Sequence, residues 1–530
     1  MKTINLLTRL RYPAGGILIL IAGILIPLQT NHLFPENVHQ KTDKETLNEL
    51  IEASIEELQI ELDAGRITSV ELVDFYLTRI ETYDRNGPAL NSIAYINPRA
   101  LEEAQALDRE RWEKGKRGPL HGIPILVKDN YETRGMPTTA GSKSLAGFAP
   151  DRDAELVERL RAAGAIILGK TNMHEFAYGI ETWGSAFGKT RNPYDPERNP
   201  GGSSGGTGAA VAANFAIAGL GSDTCGSIRI PAAHNSLAGL RGTQGSSSRR
   251  GIIPLSSTQD IGGPLARSIT DLALLLDITV GYDPGDPQTS AVLSQLEGSF
   301  IDALDPDALS GKRIGIVNEL RYRGTEDRNV ASVFDLAVQQ METLGVETVT
   351  ISIPVLEDEI YQVFGGFYIL QHDFGNNIDS YLSSRPEAPV QSLEEIIETG
   401  LVIPQVQVHL ETSFDLQNDP EDIYLQEFSK REQLKSAIVE VMARHELDAL
   451  AYPTIRQIAA PISEEQSDDN CHLAANSGFP AITVPAGFSE ERMPVGLELL
   501  GRPWDDARLV GMAFAFEQAT RHRRAPSLGD

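Results

Sequence analysis

The side chains whose company suggests chemistry are Ser203 and Ser204 in N-P-G-G-S-S-G-G-T-G (199–208), Ser227 in GLGSDTCGSIRIP (219–231), and Lys128 in GIPILVKDN (122–130). An amide carbonyl is attacked well only by an alkoxide-like oxygen, which a free serine hydroxyl at neutral pH is not, so a base must take the serine's proton. A lysine serves as that base only when neutral. Burial at the end of an apolar strand shifts its pKa in the required direction. The small residues ahead of Ser227 bring several backbone N–H groups close to it, and Ser227 can open a helix, an arrangement suited to a developing negative charge.

Simpler readings of these stretches fail on their surroundings. A flexible linker would not feed directly into the small-residue helix expected from TGAAVAANFA. Gly201 to Gly205 satisfies G-x-S-x-G, but a nucleophile elbow needs an apolar strand before it, and RNPYDPERNP with its three prolines is an extended loop. GAIILGKT (164–171) satisfies the P-loop formula, yet its middle residues are Ala, Ile, Ile and Leu, so a strand stands where a phosphate cradle would have to be. His121, His174 and His234 lie among scattered histidines without metal-ligand spacing, and no metal is expected.

The elements that must position these residues alternate in type. GIPILVKDN is rich in β-branched residues and reads as a buried strand ending at Lys128. AELVERLRAAG reads as an amphipathic helix closed by Gly164, and AIILGK as the next strand. KRIGIVN, the helix around VFDLAVQQMETLG, and VETVTISIP repeat the rhythm, as do the strands DALAYP and AITVPAG before a last helix, ARLVGMAFAFEQAT. Apolar spacings of three and four between Lys41 and Arg85 predict two helices, the second capped near Thr68 and Ser69 with Glu71 in its first turn. The pattern is that of an α/β fold with a central mixed, mostly parallel sheet covered by helices on both faces.

With 530 residues, 41% of them hydrophobic and 23% charged, the chain can bury a large core. Its 46 basic and 74 acidic residues give a net charge of −28, which opposes direct binding to nucleic acid. Cys225 and Cys471 are too few for a disulfide framework, and a single disulfide is left open. Residues 1–34 contain no acid, and Lys2, Arg9 and Arg11 precede the apolar run 14–28. This layout predicts a signal peptide or an N-terminal membrane anchor, hence a membrane attachment or a cleaved leader, and an extracytoplasmic location for the rest of the chain.

GGSSGG, GSDTCGSIRIP and PILVKDN, spaced 75 residues from Lys128 to Ser203 and 24 from Ser203 to Ser227, resemble the defining elements of the amidase signature family. GRITSVELVDFYLTRI, GKTNMHEFAYG, LDALAYPT, NSGFPAITVPAGF and PVGLELLGRPW also resemble family pieces in family order, from about Thr46 to Arg524. The resemblance implies one large amidase domain over 42–526 and a Ser-Ser-Lys triad. In that triad Ser227 is the nucleophile, Ser203, after a cis peptide bond, is the proton relay, and Lys128 is the base. It implies that backbone N–H groups of Thr224, Cys225, Gly226 and Ser227 meet the oxyanion, and that Ser204, Asp223 and Arg229 support the loops. The glycines of 199–208 are expected to supply backbone freedom around the cis bond.

Two departures stand out: Cys225 occupies a position where the family commonly has glycine, and LRGTQGSSSRRG (240–251) replaces the family's Leu-Lys-Pro-Thr. No base for a Cys225 nucleophile is evident in the sequence, and the triad needs no cofactor. The first expectation is therefore an amidase that hydrolyses a small-molecule or peptide amide through an acyl-enzyme. The alternative is the amidase (A) subunit of a glutamyl-tRNA(Gln) amidotransferase, which KTNMHEFAYG also resembles; the secretory layout and the acidic charge weigh against it. A binding protein on an inactive amidase scaffold is disfavoured by the presence of all three triad residues.

Overall fold

The computed structural model describes residues 50–296, 298–321, 328–356 and 367–529. The expected leader at 1–34, with its apolar run 14–28, lies outside the described residues, as does the start of the first predicted helix. Residues from Lys44 to Asp530 belong to one compact unit.

The strands are β1 (Ile93–Ile96), β2 (Pro124–Lys128), β3 (Ile166–Thr171), β4 (Trp183–Gly184), β5 (Gly188–Lys189), β6 (Ala218–Asp223), β7 (Ala238–Arg241), β8 (Ile261–Ala266), β9 (Arg313–Val317), β10 (Glu347–Ile351), β11 (Ala449–Pro453), β12 (Ala481–Phe488) and β13 (Pro494–Leu500). Apart from the β4–β5 pair they form one eleven-stranded mixed sheet in the order β1-β3-β2-β6-β8-β7-β12-β13-β11-β9-β10, flanked by helices. Pairing is parallel within β3-β2-β6 and within β11-β9-β10, where helical crossovers intervene, and antiparallel between these blocks.

The apolar run of β2 is buried at every position, because it lies between two neighbours in the sheet and is covered on its faces. That run carries Lys128 into the interior at the strand's last residue. The stretch GAIILGKT is strand, and β3 fills the space a phosphate loop would need. Its Lys170 is a core lysine, paired with Asp129 at 3.3 Å and donating to the Tyr131 and Pro137 carbonyls and to Thr138 Oγ1. The expected cap at Thr68 forms a reciprocal box: Glu71 N donates to Thr68 Oγ1 (3.1 Å) and Thr68 N to Glu71 Oε2 (2.9 Å).

The glycines of 199–208 have a different task from the one expected. Only Gly201 has a positive φ, +77°. The others permit close approach: a Cβ on Gly206 would collide with the Asn172 carbonyl oxygen, and one on Gly202 would sit 2.7 Å from Glu181 N. The helix Gly205–Ala212 is buried at every residue for the same reason, since small side chains let it lie against the sheet.

Candidate active site

Lys128 Nζ, fully buried, lies 2.6 Å from Ser203 Oγ, 2.9 Å from Ser222 Oγ and 3.3 Å from the Ser222 carbonyl. Burial holds its pKa down at about 7, against the opposing pull of Asp223 and Asp260. Ser222 Oγ also accepts from Asn130 Nδ2 at 2.9 Å. Sequence reasoning misses Ser222; it stands one residue before Asp223 in a stretch that reads as important, but only strand pairing of β2 with β6 turns it toward the lysine.

Ser203 follows a cis Gly202–Ser203 peptide. Its loop is pinned on every side: Asn199 Oδ1 accepts from Gly201 N (2.8 Å), Asn235 Nδ2 donates to the Pro200 carbonyl (2.7 Å), Thr182 Oγ1 donates to the Gly201 carbonyl (2.8 Å), and His174 N donates to the Ser203 carbonyl (3.0 Å). A linker would carry none of these. Ser204 Oγ bonds to the backbone of Ser222 on both sides, donating to its carbonyl (3.2 Å) and accepting from its N–H (3.3 Å). Ser204 N donates to the Ser227 carbonyl at 3.3 Å, which brings the two serine-bearing segments together. Ser227 is buried.

Asp223 organises the loop that leads to Ser227. Its carboxylate accepts from Gly226 N (2.8 Å), Ile228 N (3.2 Å), Arg229 Nε (3.0 Å) and Arg241 Nη1 (3.1 Å). Burial alone would raise its pKa, but the two guanidinium groups outweigh burial and hold it well below the usual carboxylate range. Arg229 reaches on to Glu498 (2.5 Å) on β13, so this buried ion network spans the middle of the sheet. Arg241, from the segment that departs from the family pattern, is fully buried and donates to the carbonyls of Asp223 (2.5 Å) and Gln259 (2.6 Å). Its guanidinium is thus a strut of the loop, which the sequence does not reveal. Thr224 Oγ1 donates to Asp260 at 2.6 Å.

Because Gly226 N–H is spent on Asp223, it leaves the expected oxyanion donors. Among the described residues the N–H groups of Thr224, Cys225 and Ser227 have no acceptor within the protein. Gly226 takes φ +84°, and a Cβ there would sit 2.6 Å from Ile230 Cδ1 and 2.9 Å from Cys471 Cβ. Cys225 forms a disulfide with Cys471, 246 residues away, a pairing the sequence leaves open. The reading that no base stands near Cys225 is corrected as well: His472 Nδ1 lies 3.4 Å from its sulfur. The disulfide removes the free thiol all the same. His121, His174 and His234 are held by backbone groups, and burial keeps the last two well below the ordinary imidazole pKa, at about 3 and about 4.

Fold and site together define an enzyme that acts on amide C–N bonds. The chain belongs to the Amidase family, whose sequence profile matches residues 71–510. It is 38% identical over 501 residues to the amidase (A) subunit of the glutamyl-tRNA(Gln) amidotransferase of Chloroflexus aurantiacus, an alignment covering 91% of this chain and 100% of that protein. Among solved structures it is similar to the peptide amidase of Stenotrophomonas maltophilia, with 38% identity, a TM-score of 0.83, and coverage of 91% of this chain and 99% of that one. The corresponding amidotransferase subunit of Thermotoga maritima matches at 27% identity and a TM-score of 0.70, over 93% and 99% of the two chains.

These relatives overturn the expected extracytoplasmic location. Proteins named as subunits of a glutamyl-tRNA(Gln) amidotransferase, whose substrate belongs to translation, cover nine-tenths of this chain. Among the described residues no helix is long and apolar enough to cross a membrane. The secretory layout of residues 1–34, the main argument against the amidotransferase reading, therefore loses its weight.

Proposed function

We propose that this chain is the amidase (A) subunit of a glutamyl-tRNA(Gln) amidotransferase, releasing ammonia from glutamine through an acyl-enzyme on Ser227. The observation that carries this reading is full-length similarity at 38% identity to proteins of that name. In the proposed cycle Ser227 Oγ attacks the amide carbon while its proton passes to Ser203, whose own proton passes to Lys128. A neutral lysine has one lone pair and two N–H groups. Lys128 can therefore accept from Ser203 Oγ while donating to Ser222 Oγ and the Ser222 carbonyl, so its surroundings suit the base form. The N–H groups of Thr224, Cys225 and Ser227 hold the oxyanion, each donor being worth about 3 kcal/mol in the barrier. The C–N bond then breaks, ammonia leaves with a proton returned along the same relay, and water regenerates Ser227.

The net charge of −28 supports leaving direct contact with tRNA to partner proteins of the complex. The other reading, a stand-alone amidase on peptide amides, is favoured by the higher structural similarity to a peptide amidase. Ammonia release from glutamine, simple primary amides and C-terminal peptide amides separates the two, measured with and without the partner subunits encoded by the same organism. The proposal predicts glutamine turnover that rises with the partners and vanishes in Ser227→Ala. Fast turnover of peptide amides by the chain alone, with glutamine inert under every condition, contradicts the amidotransferase reading. Unchanged activity in Ser227→Ala contradicts the nucleophile.

A further inference from the structure

The disulfide between Cys225 and Cys471 has company that a cross-link alone does not require. His472 Nδ1 lies 3.4 Å from Cys225 Sγ, His472 Nε2 lies 3.8 Å from Asp469 Oδ1, and one ligand atom from each of the four residues falls within 4.8 Å of all the others. A tetrahedral zinc ion with Zn–S of about 2.3 Å and Zn–N of about 2.0 Å places sulfur and nitrogen about 3.5 Å apart and two sulfurs about 3.8 Å apart. The sulfur-to-imidazole spacing already has that value. The two Cα atoms are 5.0 Å apart, so rotating the cysteine side chains opens the sulfurs without moving the backbone far. Cys225, Asp469 and His472 are only partly buried, so solvent, reductant and cation can reach the cluster.

We propose that on reduction Cys225, Cys471, His472 and Asp469 form a binding site for a thiophilic divalent cation of the Zn2+ type. The chemistry balances in two steps. An external dithiol gives two electrons and two protons to the disulfide, leaving two thiols and an oxidised dithiol. The cation then replaces the two thiol protons, which leave to solvent, and takes two thiolates with the imidazole and carboxylate. Two thiolates and an imidazole in a compact set select zinc over magnesium or calcium. Cys225 sits between Thr224 and Gly226, so either clasp, covalent or metal-bridged, ties the loop ahead of Ser227 to the segment Asp469–His472.

The test uses the full chain with Co2+ as a spectroscopic stand-in for Zn2+. Protein whose thiols have been counted after phosphine reduction is titrated with Co2+ and compared with oxidised protein. The expected result is thiolate-to-cobalt charge-transfer absorption saturating at one equivalent in reduced protein, absent in oxidised protein and abolished by one equivalent of Zn2+. His472→Ala should weaken the affinity at least 10-fold while keeping two titratable thiols. The proposal is overturned if reduced protein with two counted thiols shows no such absorption at excess Co2+. It is equally overturned if Cys225→Ser/Cys471→Ser binds as tightly as wild type, or if the pair cannot be reduced without unfolding the chain.

Discussion

Lys128 is the residue on which the proposed chemistry turns, and its pH behaviour follows from burial. With a pKa lowered to about 7, it is protonated and useless as a base below that pH and neutral above it. The account therefore predicts that kcat/KM for amide cleavage rises with pH through about 7 and levels off above, as a pH–rate profile will show. Lys128→Met should lower kcat about 10²–10⁴-fold and abolish that limb, since proton transfer then loses its positioned base. Lys128 and Ser203 are legible in the sequence because an apolar run ends at the one and a glycine-rich loop frames the other. Ser222 is not, for its role depends on which face of β6 meets β2, and a single glycine-rich strand carries no period to tell.

At the scale of elements, the helix Gly205–Ala212 decides whether Ser203 is presented at all. Its packing is backbone on backbone: besides running into the Asn172 carbonyl, a Cβ on Gly206 would meet the Ser92 carbonyl oxygen at 2.7 Å. Gly206→Ala must push the helix outward, and we expect a loss of about 1–3 kcal/mol in urea unfolding together with reduced activity. An unchanged midpoint would show that the helix has slack. The strands and helices that alternate along the chain are readable from periodicity, including β2 to its last residue and β3 in place of a phosphate loop. What periodicity cannot supply is the closure of distant segments: Arg241 beneath the Asp223 loop, and Cys471 with His472 beside Cys225. Those contacts join positions tens to hundreds of residues apart, and each depends on how the sheet is ordered.

Across the whole molecule, the two ends of the described chain are tied by Arg523, which donates to both oxygens of Glu52 (2.8 and 2.9 Å) and to the Ser236 carbonyl (2.9 Å). Removing the guanidinium leaves a partly buried carboxylate without its partner. Arg523→Met should cost about 2 kcal/mol in denaturant unfolding while leaving the pH–rate profile in place. A loss of the profile's midpoint near pH 7 would instead couple this tie to the site. At the same scale, similarity over nine-tenths of the chain corrects the location that the first 34 residues suggest. A charged flank and an apolar run are a short local pattern, and such a pattern arises without specifying export.

The central claim is that Ser227 is the nucleophile and Lys128, through Ser203, its base. The most direct measurement is the site and rate of covalent labelling by a fluorophosphonate, followed by peptide mass spectrometry from pH 5 to pH 9. The account predicts a single adduct on Ser227, formed at a rate that rises through about pH 7 in wild type and is lost in Lys128→Met. An adduct on Ser203, or labelling of Ser227 at a rate indifferent to pH and to Lys128, would contradict it.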